Sequence, residues 1–211
     1  QGPTRVPVGL NSMLIVANPT GDLRDAQRHG EELLNLARRR LPQTDVQFLA
    51  GERARKIDVL GRVESADVVY YVGHTEHDPT DPGNSAWVMA DGHIRGREFE
   101  RLHPAPRFVF ANSCESARES FVAGQSPSQN SGGLARAFIS AGTLNYVGAL
   151  WPIAAHQSAH FGKQVFDALL DGRSVGEAVR LSRHNCIEEF GLSDPVWAGY
   201  VVYGDPTLSP I

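Results

Sequence analysis

Cysteine is scarce in this sequence, which contains only Cys114 and Cys186 among its 211 residues. Two cysteines so far apart do not build the dense disulfide framework of small secreted proteins, and their scarcity favours a reducing, cytoplasmic setting. Long hydrophobic runs are absent as well. No apolar stretch approaches the roughly 18 residues that a membrane-spanning helix needs, so we expect a soluble protein without a membrane partner.

An excess of positive charge is also missing. The formal net charge is −4, from 20 basic and 24 acidic residues. Because direct binding to nucleic acid usually depends on a basic field, we do not expect nucleic acid as a partner. The remaining composition is that of a globular protein, with 41% hydrophobic and 21% charged residues. That is enough apolar material for one substantial core.

The first three residues need separate treatment. Gln1, Gly2 and Pro3 resemble the remnant of a protease-cleavage site used in expression vectors, and we exclude them from the reasoning about the fold. We expect residues 4–211 to form a single domain, and we expect that domain to be part of a longer protein.

Short apolar runs alternate with amphipathic helical patterns along the chain. The runs that predict strands are 13–17, 46–49, 67–73, 107–111, 144–150 and 196–203. The patterns that predict helices are 22–40, 53–63, 133–141, 154–170 and 175–189. Residues 87–94 predict a hairpin, because Asp91 and Gly92 separate two short apolar arms. This alternation predicts an α/β fold with a mostly parallel central sheet of about six strands and helices on both faces.

Two of the predicted strands run directly into reactive residues. His74 follows the strand at 67–73, and Cys114 follows the strand at 107–111. Ligands bind beyond the carboxyl ends of strands in open α/β sheets. If these two strands are neighbours, His74 and Cys114 lie at the same edge of the sheet.

A cysteine and a histidine at one sheet edge can perform nucleophilic catalysis. The thiolate attacks a carbonyl carbon, and the imidazole takes the thiol proton and later protonates the leaving amine. Backbone N–H groups at Gly73, Thr75 and Cys114 are our candidates for the oxyanion hole. From spacing alone, a different interpretation stays open, in which Cys114 is a buried small hydrophobic residue and His74 an ordinary polar residue at a strand end.

Around these residues the chain resembles the CHAT domains, a branch of the caspase, separase and gingipain-like cysteine peptidases with many bacterial members. The matching segments are, in chain order, VVYYVGHT, WVMADGHIRGREFERL, FVFANSCESA, GGLARAFISAGTLNYVGALWPI and DPVWAGYVVYGDPTL. The resemblance implies a caspase-haemoglobinase-like fold. It also implies that His74 is the base and Cys114 the nucleophile of a cysteine endopeptidase that needs no cofactor.

The sequence departs from the family pattern at two places near the expected site. Many members have Gly-His-Gly at the base, whereas Thr75 follows His74 here. Separase-like relatives carry Trp-x-Val-x-Asp, whose aspartate helps to select a basic residue, but here Ala155 stands where that aspartate would fall. We assign Asn112, Trp151 and Ala155 to the substrate pocket and expect it to favour an uncharged residue.

An acidic pocket stays open as an alternative, with a carboxylate supplied from a loop by Asp78, Asp81 or Asp91.

The family resemblance also bears on regulation. The chain has no obvious internal processing site that would separate two subunits, so we expect activation by an attached or bound sensor domain or partner protein. The family context implies a bacterial protease that cleaves protein substrates in stress responses or antiviral defence. The alternative is a catalytically silent CHAT domain that acts as a scaffold or binding module.

A metal site is the remaining alternative. His74, His77 and Asp78 are close in sequence, and His156 and His160 lie one helical turn apart. Zinc sites use such ligands, but the His-Glu-x-x-His order is missing, and a metal site would leave the cysteine segment unexplained. We therefore predict no metal.

Overall fold

The computed structural model describes residues 9–113 and 133–211. Cys114 and residues 1–3 lie outside these ranges. Numbered in chain order, the described strands are β1 Ser12–Ala17, β2 Asp45–Ala50, β3 Val68–Val72, β4 Thr75–Glu76, β5 Ala86–Met89, β6 Gly92–Arg95, β7 Phe108–Ala111, β8 Asn145–Ala149 and β9 Tyr200–Gly204. The described helices are α1 Arg24–Arg40, α2 Lys56–Ser65, α3 Gly96–Phe99, α4 Leu134–Ala141, α5 Ala155–Leu170 and α6 Val175–Phe190.

Six of the strands form a central sheet in the order β2-β1-β3-β7-β8-β9. All neighbouring pairs are parallel except β8 and β9, which are antiparallel. The predicted α/β class with a mostly parallel six-stranded sheet is therefore confirmed.

The central strands are apolar throughout because both faces of the sheet are covered. Along β1, Met13 and Ile15 pack into one core, whereas Leu14 and Val16 pack into the other. Successive side chains of a strand point to opposite faces, so a strand buried on both sides needs an unbroken apolar run. Helices α1, α5 and α6 contribute to the first core, and α2, α3 and α4 to the second.

A second, smaller sheet has the order β4-β5-β6 and is antiparallel. Strands β5 and β6 form the predicted hairpin, with Met89 paired to Gly92. Strand β4 was not predicted, because it consists of two residues within the polar, proline-rich stretch 74–84. Its partner residue Trp87 is fully buried and stacks on Tyr71 of β3, with 4.2 Å between ring centroids. The small sheet is thereby fixed to the central one.

The predicted strand at 196–203 is wrong over its first half. Pro195–Ala198 forms a 3₁₀ turn instead, and β9 begins only at Tyr200. The Asp194 carboxylate accepts a hydrogen bond of 3.0 Å from the backbone N–H of Val196. Proline in the first turn and an aspartate cap are typical helix-start signals, and here they outweigh the apolar character of the segment.

Within the described part of the chain, no helix combines the length and apolar character needed to span a membrane.

Candidate active site

Three neighbouring strands of the central sheet, β1, β3 and β7, run parallel and end at the same edge. His74 lies two residues beyond the end of β3, and Asn112 and Ser113 follow β7 directly. The strands that lead to His74 and toward Cys114 are therefore neighbours. Cys114 is the next residue after Ser113 and lies outside the described residues.

A cleft of about 440 Å³ opens at this edge. Of the residues predicted for the site, it is lined by Gly73, His74, Thr75, Asn112 and Ala155. Its apolar wall is formed by Leu23, Val72, Ala149, Ile153 and Ala159.

Trp151 is not among the described residues that line the cleft. The nitrogen of its indole lies 3.3 Å from the position that a Cβ atom on Gly199 would take. That nitrogen is buried and has no hydrogen-bond partner within the described residues. Trp151 therefore lies near the cleft without lining it.

The backbone around His74 is held by two hydrogen bonds. Its carbonyl oxygen accepts one from the Tyr71 hydroxyl and one of 3.0 Å from the N–H of Val88. A Cβ atom on Gly73 would lie 2.8 Å from Cδ of Pro19 and 2.8 Å from the Tyr71 hydroxyl oxygen. Glycine is needed here for this close approach, and Gly73 does not have a positive φ.

A buried hydrogen-bond network lies beneath the cleft. The side-chain NH₂ group of Asn112 donates hydrogen bonds to the Tyr70 hydroxyl at 3.2 Å and to the backbone carbonyl of Ser158 at 3.0 Å. Its side-chain oxygen accepts a hydrogen bond of 2.5 Å from the Tyr200 hydroxyl. The Tyr70 hydroxyl lies 2.8 Å from Nε2 of His29. Burial lowers the pKa of His29 to about 4, so this imidazole is neutral at physiological pH and can accept a hydrogen bond from the Tyr70 hydroxyl. The network connects the ends of β3, β7 and β9 with α5.

Asp22, which the sequence analysis missed, contacts His74 directly. Its Oδ2 lies 3.0 Å from Nε2 of the imidazole, and the two side chains are 60% and 44% exposed. The Thr20 hydroxyl donates to the other carboxylate oxygen. Hydrogen bonds from Thr20 and His74 hold the pKa of the Asp22 carboxyl below its usual range. The available signal was its place in the loop between β1 and α1, since ligands bind beyond strand ends, but the sequence did not show that β1 lies beside β3.

The acidic residues considered for the pocket lie elsewhere. Asp91 accepts a 2.7 Å hydrogen bond from the N–H of Lys56, and Asp81 pairs with Arg97. Asp78 lines a different concavity. Among the described residues, the carboxylates that line the cleft are those of Asp22 and Asp25.

The candidate metal ligands are distributed over different surfaces. His74 lines the cleft, whereas His77 and Asp78 line a separate groove of about 880 Å³ over the small sheet. His156 and His160 lie edge-on against Phe190. Across residues 9–113 and 133–211, no group of three or more His, Cys, Asp or Glu side chains is arranged to hold a metal ion.

The fold resembles that of solved cysteine peptidases. Separase in the Saccharomyces cerevisiae separase–securin complex matches with a TM-score of 0.67 and 20% identity, over 92% of this chain and 12% of that chain. Gingipain R (RgpB), an Arg-specific cysteine proteinase, matches with a TM-score of 0.74 and 16% identity, over 95% of this chain and 47% of that chain. The chain thus spans less than half of either protein, and the similarity is one of fold.

No curated protein sequence matches the chain. The sequence model of the CHAT domain, however, matches residues 2–205. This match covers nearly the whole chain, and it agrees with the structural similarity to the caspase-like folds of separase and gingipain. The chain therefore belongs to the CHAT domain family.

Proposed function

We propose that the protein is a cysteine endopeptidase in which His74 is the general base and Cys114 the nucleophile. The observation that carries this proposal is the position of His74 in the cleft beside Asn112 and Ser113, the two residues that precede Cys114. Family membership supports it, because the structural relatives with this fold include cysteine peptidases.

In the proposed reaction, His74 takes the thiol proton, and the Cys114 sulfur attacks the carbonyl carbon of the scissile peptide bond. Backbone N–H groups of Gly73, Thr75 and Cys114 stabilise the negative oxygen of the tetrahedral intermediate. The C–N bond breaks as His74 returns the proton to the leaving amine, and a thioester remains. Water then attacks the thioester while His74 accepts its proton, which releases a carboxylic acid and regenerates the thiol.

We propose a protein substrate with an uncharged residue before the scissile bond. Ala155 provides no charge on the α5 side of the cleft, and Ala149, Ile153 and Ala159 add apolar surface. The side-chain amide of Asn112 is uncharged, and it already forms hydrogen bonds within the network beneath the cleft. A pocket of this kind gives a cationic side chain little compensation for its lost hydration.

Regulation by a sensor domain or a partner protein completes the proposal. One of the matched structures is a separase–securin complex, so a protein with a similar fold binds a protein partner, which supports this part of the proposal. We also propose a role in bacterial stress or antiviral defence, which the family resemblance supports, and a cytoplasmic location, which the scarcity of cysteine supports.

The proposal is tested by labelling the activated full-length protein with a peptide-based thiol-alkylating probe. Cys186 is an internal control, because it is fully buried and burial raises the pKa of its thiol to about 11. We expect Cys114 to be labelled rapidly, Cys186 hardly at all, and the His74→Ala variant much more slowly at Cys114. If both cysteines react equally slowly in the activated protein, the silent scaffold is the correct interpretation.

A further inference from the structure

The loop between β1 and α1 is built against the segment that carries His74. The backbone N–H of Asn18 donates a 2.8 Å hydrogen bond to the carbonyl of Val72, the last residue of β3. Pro19 packs against Gly73, where no side chain would fit between them. Asp22 then reaches Nε2 of His74 at 3.0 Å. In chain order, these three loop residues therefore contact Val72, Gly73 and His74 at the end of β3.

The loop conformation itself is specified locally. Asn18 adopts a positive φ of 48°, which asparagine tolerates better than most residues. Its side-chain Oδ1 accepts a 2.8 Å hydrogen bond from the N–H of Leu23, just before α1 begins. Its backbone carbonyl accepts a hydrogen bond of 3.1 Å from the N–H of Gly21. Asn18 is only 5% exposed, so this arrangement is part of the folded interior and holds Asp22 at a defined place.

The charge on Asp22 determines which nitrogen of His74 carries a proton. A carboxylate only accepts hydrogen bonds, so Nε2 must be the donor in this contact. In a neutral imidazole the other nitrogen, Nδ1, is then unprotonated and can accept a proton. The side that faces away from Asp22 is therefore the basic one.

We propose that Asp22 is a positioning residue for His74, which accepts the Nε2 proton and keeps Nδ1 free to take the proton of the nucleophile. The catalytic meaning of this assignment rests on the proposed peptidase function. When Nδ1 takes a proton, the ring becomes a cation that the Asp22 carboxylate stabilises. When the proton passes to the leaving amine, the neutral ring returns to the same tautomer.

A purely structural role does not explain the contact. Both side chains are largely exposed, and exposed ion pairs add little to folding stability. The anchoring of the loop depends on Asn18 and Pro19, whose contacts do not involve the Asp22 carboxylate. Removing that carboxylate should therefore leave the fold intact and change the state of His74.

The first experiment measures the tautomer of His74 without requiring activity. In the full chain carrying Cys114→Ala, long-range ¹H–¹⁵N NMR of the imidazole at neutral pH should show the proton mainly on Nε2. The Thr20 hydroxyl donates a hydrogen bond to Oδ1 of Asp22. In the Asp22→Asn variant, we expect the amide oxygen to keep this hydrogen bond, so that the NH₂ group faces His74. We expect this variant to shift the proton toward Nδ1. An unchanged tautomer in Asp22→Asn would overturn the assignment.

The second experiment compares Asp22→Asn with a matched control, Glu76→Gln. Glu76 also contacts a histidine through an exposed pair, with its Oε1 3.2 Å from Nε2 of His93. Asp22→Asn should lower kcat about tenfold with little change in KM, as expected for losing a hydrogen bond to a charged group.

Among the described residues that line the cleft, the charged side chains of Arg24 and Asp25 remain in both variants. Glu76→Gln should leave kcat unchanged. Equal losses in both variants would show a general charge effect and refute the role of Asp22. A wild-type protein without any peptidase activity but with the expected NMR result would refute the proposed function and leave the Asp22–His74 assignment standing.

Discussion

Two concavities formed by the described residues differ in size and in chemistry, and the smaller one is the better candidate for the active site. The groove over the small sheet has a volume of about 880 Å³, twice the 440 Å³ of the cleft at the strand ends. Several of its charged residues pair with one another, as in the contacts of Lys56 with Glu98 and of Glu76 with His93. Such exposed pairs are well solvated and contribute little energy.

The cleft, in contrast, lies above a buried hydrogen-bond network. Beneath it, both the NH₂ group and the oxygen of the Asn112 side chain form hydrogen bonds, with Tyr70 and Tyr200, and both tyrosines are fully buried. A reacting group must be held within a fraction of an ångström, and buried, saturated hydrogen bonds provide that rigidity. The comparison shows that a catalytic site is recognised by what supports its residues, more than by the size of the opening.

The largest expected effect separates the two histidines His74 and His77. We predict that His74→Ala lowers kcat/KM for a cleaved peptide about 10³-fold, the usual range for loss of a general base. His77→Ala, in the groove, should change kcat/KM by less than about twofold, since nothing in the proposed reaction involves it. The measurement is a steady-state assay of the activated full-length protein. A comparable loss in His77→Ala would move the active site to the groove.

A smaller expected effect concerns the stability of the buried network beneath the cleft, and it is tested at two glycines that lie in helices. A Cβ atom on Gly162 would lie 2.1 Å from the Tyr70 hydroxyl and 3.2 Å from Nδ2 of Asn112, whereas one on Gly61 would meet nothing within 4 Å. We predict that Gly162→Ala destabilises the protein by about 2 kcal/mol, because the added methyl group overpacks the network. Gly61→Ala should stabilise it by about 0.5 kcal/mol, since alanine favours an exposed helix.

Urea titration of both variants gives these free energies of unfolding. If Gly162→Ala is as stable as Gly61→Ala, the network is not packed against α5 as described.

The sequence was sufficient to predict the central sheet. Strands such as β1 and β3 are buried on both faces, so their unbroken apolar runs stand out from the amphipathic helices around them. The same patterns predicted the position of His74 at a strand end. They failed over the first half of 196–203, where an apolar run forms a 3₁₀ turn because Asp194 and Pro195 start one.

The support of the site could not be predicted in the same way. The contacts of Asn112 with Tyr70 and Tyr200 join residues 42 and 88 positions apart, and no local pattern encodes such pairs. The contact of Asp22 with His74 depends on the order of strands in the sheet, which places β1 beside β3. Local periodicity predicts which residues form a strand but leaves the choice of its neighbours open.

The smallest effect concerns the charge of the cleft. Ala155 is exposed, lines the cleft and is the first residue of α5, so an aspartate there is compatible with the fold and favoured by the helix dipole. We predict that Ala155→Asp raises the ratio of kcat/KM for Arg over Leu before the scissile bond about tenfold, because a new carboxylate compensates the cation.

Ala155→Asn is the control for size and polarity, and it should leave that ratio unchanged. The carboxylates already in the cleft do not replace the missing one, because Asp22 is engaged by His74 and Asp25 by Arg28. A wild-type protein that already prefers Arg or Lys strongly would contradict this reasoning. It would mean that Asp22 or Asp25 contacts the substrate directly.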